Sequence, residues 1–384
     1  MPAPSGYNNA MHDRRRFIGL PAVPVLLLAA GIPVLAIAAA QTAGSPRPAE
    51  PPPTREAENS QPDPQQEFKT GADLTRRGLL QEAIPHLLAA QQAGLDPYAT
   101  GVNLGICYVG TGAYKPAIAV LTPLRTQQLR TPVIDNLLAQ AYLGDGQRHA
   151  AFEEFLRAAA LSPKDETLYA FIADACNDHQ DFALGLAMMD RGLVQLPESA
   201  RLHYERAVFL GRLGRFEEAK PDFDRAAQLA PDSYIGYLAR VQKDLYEDDL
   251  VDATRLLHQA IAAGQRDYRM LSLLGTVLLH DGAAPGEPQF AEAQSALEES
   301  AKQRPDYPAT QIALGKLYLM EGRYRDAVEH LEIGRKLEPE NPAVYTSLAE
   351  AWGRLGDREK ARQMREQIGR LLAEKKSNTD PSQP

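Results

Sequence analysis

The chain has 384 residues, a formal net charge of -9, 44% hydrophobic residues and only 7% aromatic ones. That length admits two ordinary domains or one long array, and the scarcity of rings calls for an aliphatic core in which Ala and Leu favour helix. An acidic chain with no basic stripe argues against nucleic acid and anionic lipid as partners.

The N-terminus reads as a targeting segment. Arg14, Arg15 and Arg16 precede a run from Ile18 to Ala40 without a charged residue, and the run closes on Ala38-Ala39-Ala40-Gln41. Basic residues, an apolar stretch and a small-residue cleavage site follow in the order of a secretory signal. Asp13-Arg14-Arg15-Arg16-Phe17-Ile18 also resembles a twin-arginine signal, although Asp13 stands where Ser or Thr is usual, so general and twin-arginine export both stay open. Cleavage is one fate for residues 1–40 and an uncleaved anchor the other, with Pro21, Pro24 and Pro33 weakening a continuous spanning helix. Either fate places the remainder in the periplasm or outside the cell, because the arginines stay on the cytoplasmic side. No cysteine follows the apolar run, which argues against a lipoprotein anchor. Contact with membrane is expected only through this segment.

Residues 41–63 form a spacer. Seven prolines occur in the 24 residues from Gln41 to Pro64, with Glu, Gln and Ser between them and no apolar period. From Pro64 onward a period of 34 appears. Units beginning at 64, 98, 132, 166, 200, 234, 268, 308 and 342 fill residues 64–375, eight of them 34 residues long and one 40. Residues 376–384 are left as a loose tail.

Within a unit, positions 4, 7, 8 and 11 share one face of a first helix. Positions 7, 8 and 11 read Leu104-Gly105-Tyr108 in the second unit and Leu314-Gly315-Tyr318 in the eighth. Position 8 is small so that a second helix can cross there. Position 20 is Ala83, Ala117, Ala151, Gly185, Ala219, Ala253, Ala293, Ala327 and Ala361, facing back from that second helix. Position 15 is glycine in seven units (Gly78, Gly112, Gly146, Gly214, Gly282, Gly322, Gly356), where a left-handed residue ends the first helix. Position 32 is Pro163, Pro197, Pro231, Pro305 and Pro339, which stops the second helix.

This spacing resembles the tetratricopeptide repeat family, over about four-fifths of the chain. The resemblance implies an all-α, right-handed superhelical solenoid of nine helix-turn-helix repeats, stabilised by stacking of neighbours. Three departures stand out. The first unit has Thr70-Gly71 and Leu74 at the signature positions and reads as a frayed start. The sixth has Arg240-Val241 and Asp244, which predicts a shifted first helix with Leu238 and Ala239 turned inward. The seventh carries six extra residues within 282–290, expected to be a tolerated loop. The charge-dense last helix, from Arg358 onward, is expected to solvate the end of the stack.

No H-E-x-x-H, P-loop, G-x-S-x-G or C-x-x-C motif occurs, and the eight histidines are scattered. No catalytic residue, cofactor or metal is therefore expected. Cys107 and Cys176 fall on first helices two units apart, about 16–20 Å at ordinary helix spacing, too far for a disulfide, and read as buried apolar residues.

By resemblance, first-helix positions 2, 5, 6, 9, 12 and 13 line a concave groove that binds proteins or peptides. Here they hold Lys69, Arg76, Asn103, Asn136, Gln140, Asp174, Asn177, Asp178, Tyr204, Glu205, Arg212, Gln242, Tyr246 and Lys316, with Arg269 and Thr276 in the seventh unit. Of the family's two-carboxylate clamp only Asn103 keeps its place, so binding of chaperone tails is not expected. The expected function is an exported scaffold or adaptor in envelope assembly or secretion. The alternatives are a recruiting subunit for a separate envelope enzyme and an enzyme in its own right. The last is disfavoured because too few residues lie outside the array for a catalytic domain.

Overall fold

The computed structural model describes residues 63–126 and 131–378. The expected signal (1–40), the spacer up to 62 and the tail beyond 378 lie outside the described residues. Eighteen α-helices and no strand occur among those described, arranged as nine hairpins. In chain order these are α1 (Pro64–Arg76) with α2 (Leu80–Gln92), α3 (Pro97–Gly110) with α4 (Tyr114–Thr126), and α5 (Pro132–Gly144) with α6 (Arg148–Leu161). Next come α7 (Glu166–Asp178) with α8 (Phe182–Gln195), α9 (Ala200–Arg212) with α10 (Phe216–Leu229), and α11 (Tyr234–Tyr246) with α12 (Leu250–Ala262). The last three are α13 (Tyr268–His280) with α14 (Pro288–Gln303), α15 (Pro308–Met320) with α16 (Tyr324–Leu337), and α17 (Pro342–Arg354) with α18 (Arg358–Asn378). They group into an N-terminal unit, residues 63–263 with α1 to α12, and a C-terminal unit, residues 264–378 with α13 to α18. Inside each unit every second helix packs on the next first helix, and successive first helices touch.

Local chemistry sets the helix limits. Eight of the nine first helices start behind a side chain that accepts from their first free amides: Asp63, Asp96, Thr131, Asp165, Ser199, Ser233, Asp267 and Asn341. Their ends close on a left-handed residue, and glycine supplies it in seven hairpins. Gln180 (φ 54°) and Asp248 (φ 60°) take the same conformation in the other two. The hydrogen bonding is the same there: Asp181 N donates to Cys176 O at 2.9 Å and Asp249 N to Asp244 O at 2.8 Å, as Leu79 N does to Leu74 O at 3.0 Å. Each second helix followed by a proline at position 32 ends two residues before it, at Leu161, Gln195, Leu229, Gln303 and Leu337.

The core follows the repeat. All nine residues at position 20 are buried. Position 8 receives the side chain at position 24. A Cβ on Gly71 would lie 2.6 Å from Leu87 Cγ, and one on Gly105 2.6 Å from Leu121 Cδ2; Gly275 and Gly315 are covered in the same way by Leu297 and Leu331. Where position 8 is alanine, position 24 is the buried Phe155, Met189 or Phe223 in the third, fourth and fifth hairpins, and the exposed Arg365 in the ninth. Both cysteines are buried and free.

The departures resolve physically. The first hairpin is complete rather than frayed, since α1 runs its full length with Gly71 and Ala72 buried under α2. Nor is the first helix of the sixth hairpin shifted: α11 starts at Tyr234 behind its Ser233 cap, and Val241 occupies the small place. Leu238 and Ala239 are buried as expected, but Arg240 keeps the register by folding back. Its Nη2 donates to Pro231 O at 2.7 Å and its guanidinium lies 4.6 Å from the centre of the Tyr237 ring. In the seventh hairpin the longer loop is pinned by buried Ala283 and Phe290.

Position 4 does more than fill the apolar face. It pairs with position 23 across the hairpin: Glu67 with His86 at 2.6 Å, His203 with Asp222 at 2.7 Å, Gln311 with His330 at 2.7 Å. In the third hairpin these places hold Asp135 and Glu154, both buried, and Glu154 is held by Arg125 of the preceding hairpin and by Arg157 at 2.6 Å. Such pairs fix how the two helices of a hairpin sit, because leaving one partner alone in the interior is costly.

Candidate binding face

Position 13 packs against position 17 of the preceding hairpin in α5, α9 and α11, while Arg76 in α1 and Asp178 in α7 hold the same position exposed. Arg212 lies 5.4 Å from the centre of the Phe182 ring, and Tyr246 meets Phe216 at 5.1 Å and Phe223 at 5.6 Å. Gly144 has this position in α5, where a Cβ would strike the Tyr114 ring. Tyr114 continues on to His179 of α7 at 5.6 Å, edge to face. Arg212 and Tyr246 therefore join neighbouring hairpins. Burial raises the Tyr246 hydroxyl pKa against the favourable effects of Arg212 and of a hydrogen bond from Gln242.

The remaining residues named from the sequence sort by depth. Lys69 and Arg76 are exposed on α1, with Arg76 3.0 Å from Asp73. Asn103 is buried and donates to Ala99 O at 2.8 Å. Tyr204 is buried against Phe223, ring centres 6.0 Å apart. Gln140 and Gln242 are half-buried. In the C-terminal unit Lys316 is exposed at its tip, and the burial of its surroundings holds its ammonium below the usual lysine range. Arg269 lies 3.1 Å from Asp267, and Thr276 donates to Ser272 O at 2.8 Å.

Polar groups concentrate on α5, α7 and α9. Asn136 of α5 and Asn177 of α7 are each 7% exposed, and their Oδ1 atoms have no hydrogen-bond partner. Asp174, one helical turn before Asn177 and Asp178, is buried as well. Asp178 reaches solvent in crowded surroundings, and desolvation pushes its carboxyl up to about 6. Glu205 of α9 is 1% exposed, and desolvation pushes it up to about 7 against the opposing pull of Arg201. That arginine, at position 2 of α9, was not singled out from the sequence. Its Nε lies 3.9 Å from Glu205 Oε1, too far for a hydrogen bond, and is otherwise unbonded. Phe171, half-exposed at position 6 of α7, adds an apolar contact. The signal for both was present: each occupies a position that the repeat register assigns to the groove.

Such a face can hold an extended chain by hydrogen bonds and one aromatic contact. It offers no nucleophile–base pair, and among the described residues no cluster of His, Cys, Asp and Glu is placed to hold a metal.

Two stretches match sequence models described as tetratricopeptide repeat, residues 200–233 and 286–349. No curated protein matches the chain. Among solved structures, a tetratricopeptide repeat protein from Parabacteroides merdae aligns at 16% identity over 66% of this chain and 98% of its own, with a TM-score of 0.50, and shares the fold. The Cut9–Hcn1 hetero-tetramer of APC/C aligns at 12% identity over 83% of this chain and 74% of its own (TM-score 0.49). YrrB, described as a TPR protein with an unusual peptide-binding site, aligns at 17% identity over 48% of this chain and 91% of its own (TM-score 0.34). With eighteen helices paired at the family's spacing and two stretches matched by its sequence models, the chain belongs to the tetratricopeptide repeat family.

Proposed function

We propose that this chain is a non-catalytic scaffold that binds a protein partner along the groove face of α5, α7 and α9. The tetratricopeptide fold suits protein–protein interaction, because stacked hairpins present a long surface while the repeated residues handle stability. The observation that carries the reading is the pair of amide oxygens, Asn136 Oδ1 and Asn177 Oδ1, buried at groove positions and bonded to nothing. Buried polar atoms are ordinarily paired, and a peptide backbone supplies the missing N–H groups. Export and work in the cell envelope rest on the Arg14–Arg16 cluster and the uncharged run after it.

Photo-crosslinking tests the binding face. A benzophenone amino acid at Gln140 should give adducts with one or a few proteins in cells, whereas the same group at exposed Glu82 of α2 should not. Identical adducts from both positions, or none from Gln140, would sink the reading. Fractionation of the tagged full chain tests export, and recovery in the cytoplasm alone would remove the envelope assignment.

A further inference from the structure

The amide oxygens left unbonded on this face are acceptors. Asn136 and Asn177 each leave a carbonyl oxygen unbonded. Asp174, Asp178 and Glu205 place three carboxyls on two adjacent helices, with Arg201 beside Glu205. Arg206, on the other side of α9, is already committed, with Nε 2.6 Å from Asp190 and Nη1 on Asp222. Arg212 is stacked on Phe182. A ligand that satisfies this face must bring donors and positive charge.

We propose that the partner segment bound across α5, α7 and α9 is basic, a Lys- or Arg-bearing stretch in extended conformation whose cationic side chains meet Asp174, Asp178 and Glu205. The inference rests on the reading of this face as a protein-binding groove and adds the chemistry of the ligand. The acids alone would make only a solvated surface. The two nine-tenths-buried amides beside them, with acceptor oxygens unfilled, mark the same face as built for a donor-rich ligand. The upward displacement of the Asp178 and Glu205 carboxyls agrees, since it means that local positive charge falls short of compensating them. Phe171 offers its ring to the aliphatic stem of a bound lysine or arginine.

The test uses the full chain and a fluorescein-labelled twelve-residue peptide of alternating lysine and alanine, read by anisotropy at pH 8, above the Glu205 value of about 7, and at about 50 mM salt, where charge effects are only partly screened. A glutamate–alanine peptide is the control. The lysine peptide should bind and the glutamate peptide should not. Asp174→Asn, Asp178→Asn and Glu205→Gln together should weaken binding about tenfold or more. A matched variant, Glu82→Gln with Glu217→Gln and Asp232→Asn, removes the same charge from exposed sites in the same unit and should change binding less than about twofold. Should the triple variant fail to fold by circular dichroism, Asp178→Asn alone, at an exposed side chain, should still weaken binding about threefold. Equal loss in the groove and matched variants, equal binding of both peptides, or no binding of the lysine peptide would overturn the inference. Adducts at Gln140 would in each case leave the groove reading intact.

Discussion

The two units repeat one core pattern and differ in what they place on it. In the N-terminal unit the face of α5, α7 and α9 carries buried amides and carboxyls with one arginine among them. On α13 and α15 of the C-terminal unit the corresponding positions hold Arg269, Ser272, Thr276 and Lys316, cationic and hydroxyl-bearing. The turns differ too. Every first helix of the C-terminal unit ends on a left-handed glycine, while two in the N-terminal unit end on Gln180 and Asp248. Family sequence models match residues 286–349 of the C-terminal unit and the fifth hairpin, residues 200–233, of the N-terminal unit. Regular spacing maintains the stack, and the positions it leaves free carry what differs between the units.

If the core is built alike in both units, emptying position 24 should cost alike. Phe155→Ala in α6 and Leu331→Ala in α16 remove fully buried side chains and should destabilise by about 3–5 and 2–5 kcal/mol respectively. Urea unfolding followed at 222 nm measures both. Arg365, at position 24 of α18, is exposed, and Arg365→Ala should stay within about 0.5 kcal/mol. A neutral result at Phe155 would mean that the N-terminal hairpins stack by other contacts.

The next contrast is in pH. Glu205 is protonated up to about 7 in the folded chain, against an ordinary value of 4.5. Between those limits the folded state holds a proton that the unfolded chain releases, so stability falls as pH rises from about 4.5 to about 7, by roughly 3 kcal/mol. Glu205→Gln should flatten this slope and stabilise the protein at pH 8. Asp178 contributes in the same direction between its ordinary 3.8 and about 6, weakly because water reaches it. Lys316 has the opposite sign: its depressed ammonium disfavours folding below its own pKa, and the penalty is relieved as pH rises through that value towards the usual lysine range. Thermal melts of the wild type, Glu205→Gln and Lys316→Gln from pH 4 upward separate the three. A Glu205→Gln variant that keeps the wild-type slope would show that the N-terminal face is hydrated like ordinary surface.

Much of the fold was legible because a 34-residue period fixes register without reference to neighbours. The small residues at positions 8 and 20, the glycines at 15 and the prolines at 32 each have one physical job, and the helices begin, turn and stop around them. Depth was not legible. The register puts Glu205, Tyr204 and Asn103 on the groove side of their helices, but it does not say how deep they lie. The braces at positions 4 and 23 were also missed, because a histidine in one hairpin stands where a tyrosine or leucine stands in another. Only the folded hairpin shows that His203 meets Asp222 across it. The packing of Arg212 and Tyr246 at position 13 was missed for a related reason: their partners at position 17 belong to the previous hairpin, and a period read one unit at a time does not show contacts that cross units.

The smallest effect expected concerns the turns. A left-handed residue with a Cβ costs about 1–2 kcal/mol relative to glycine, less for Asp, whose short polar side chain suits that region. Gln180→Gly and Asp248→Gly should therefore stabilise the N-terminal unit by about 1 kcal/mol or less each, the first more than the second, after allowance for glycine's greater freedom in the unfolded chain. The reciprocal change in the C-terminal unit, Gly322→Ala at φ 74°, should cost about 1 kcal/mol or more. Both are read as shifts in urea midpoint at constant slope. The sign at Gln180 is the decisive part. This residue follows His179, which holds the Tyr114 ring, and lies two residues after Asp178. If Gln180→Gly stabilises as expected and also weakens binding of the lysine peptide, the strained turn is retained because it fixes the C-terminal end of α7 and the carboxyl it carries. Stabilisation with binding unchanged would mean that the turn tolerates glutamine without using it.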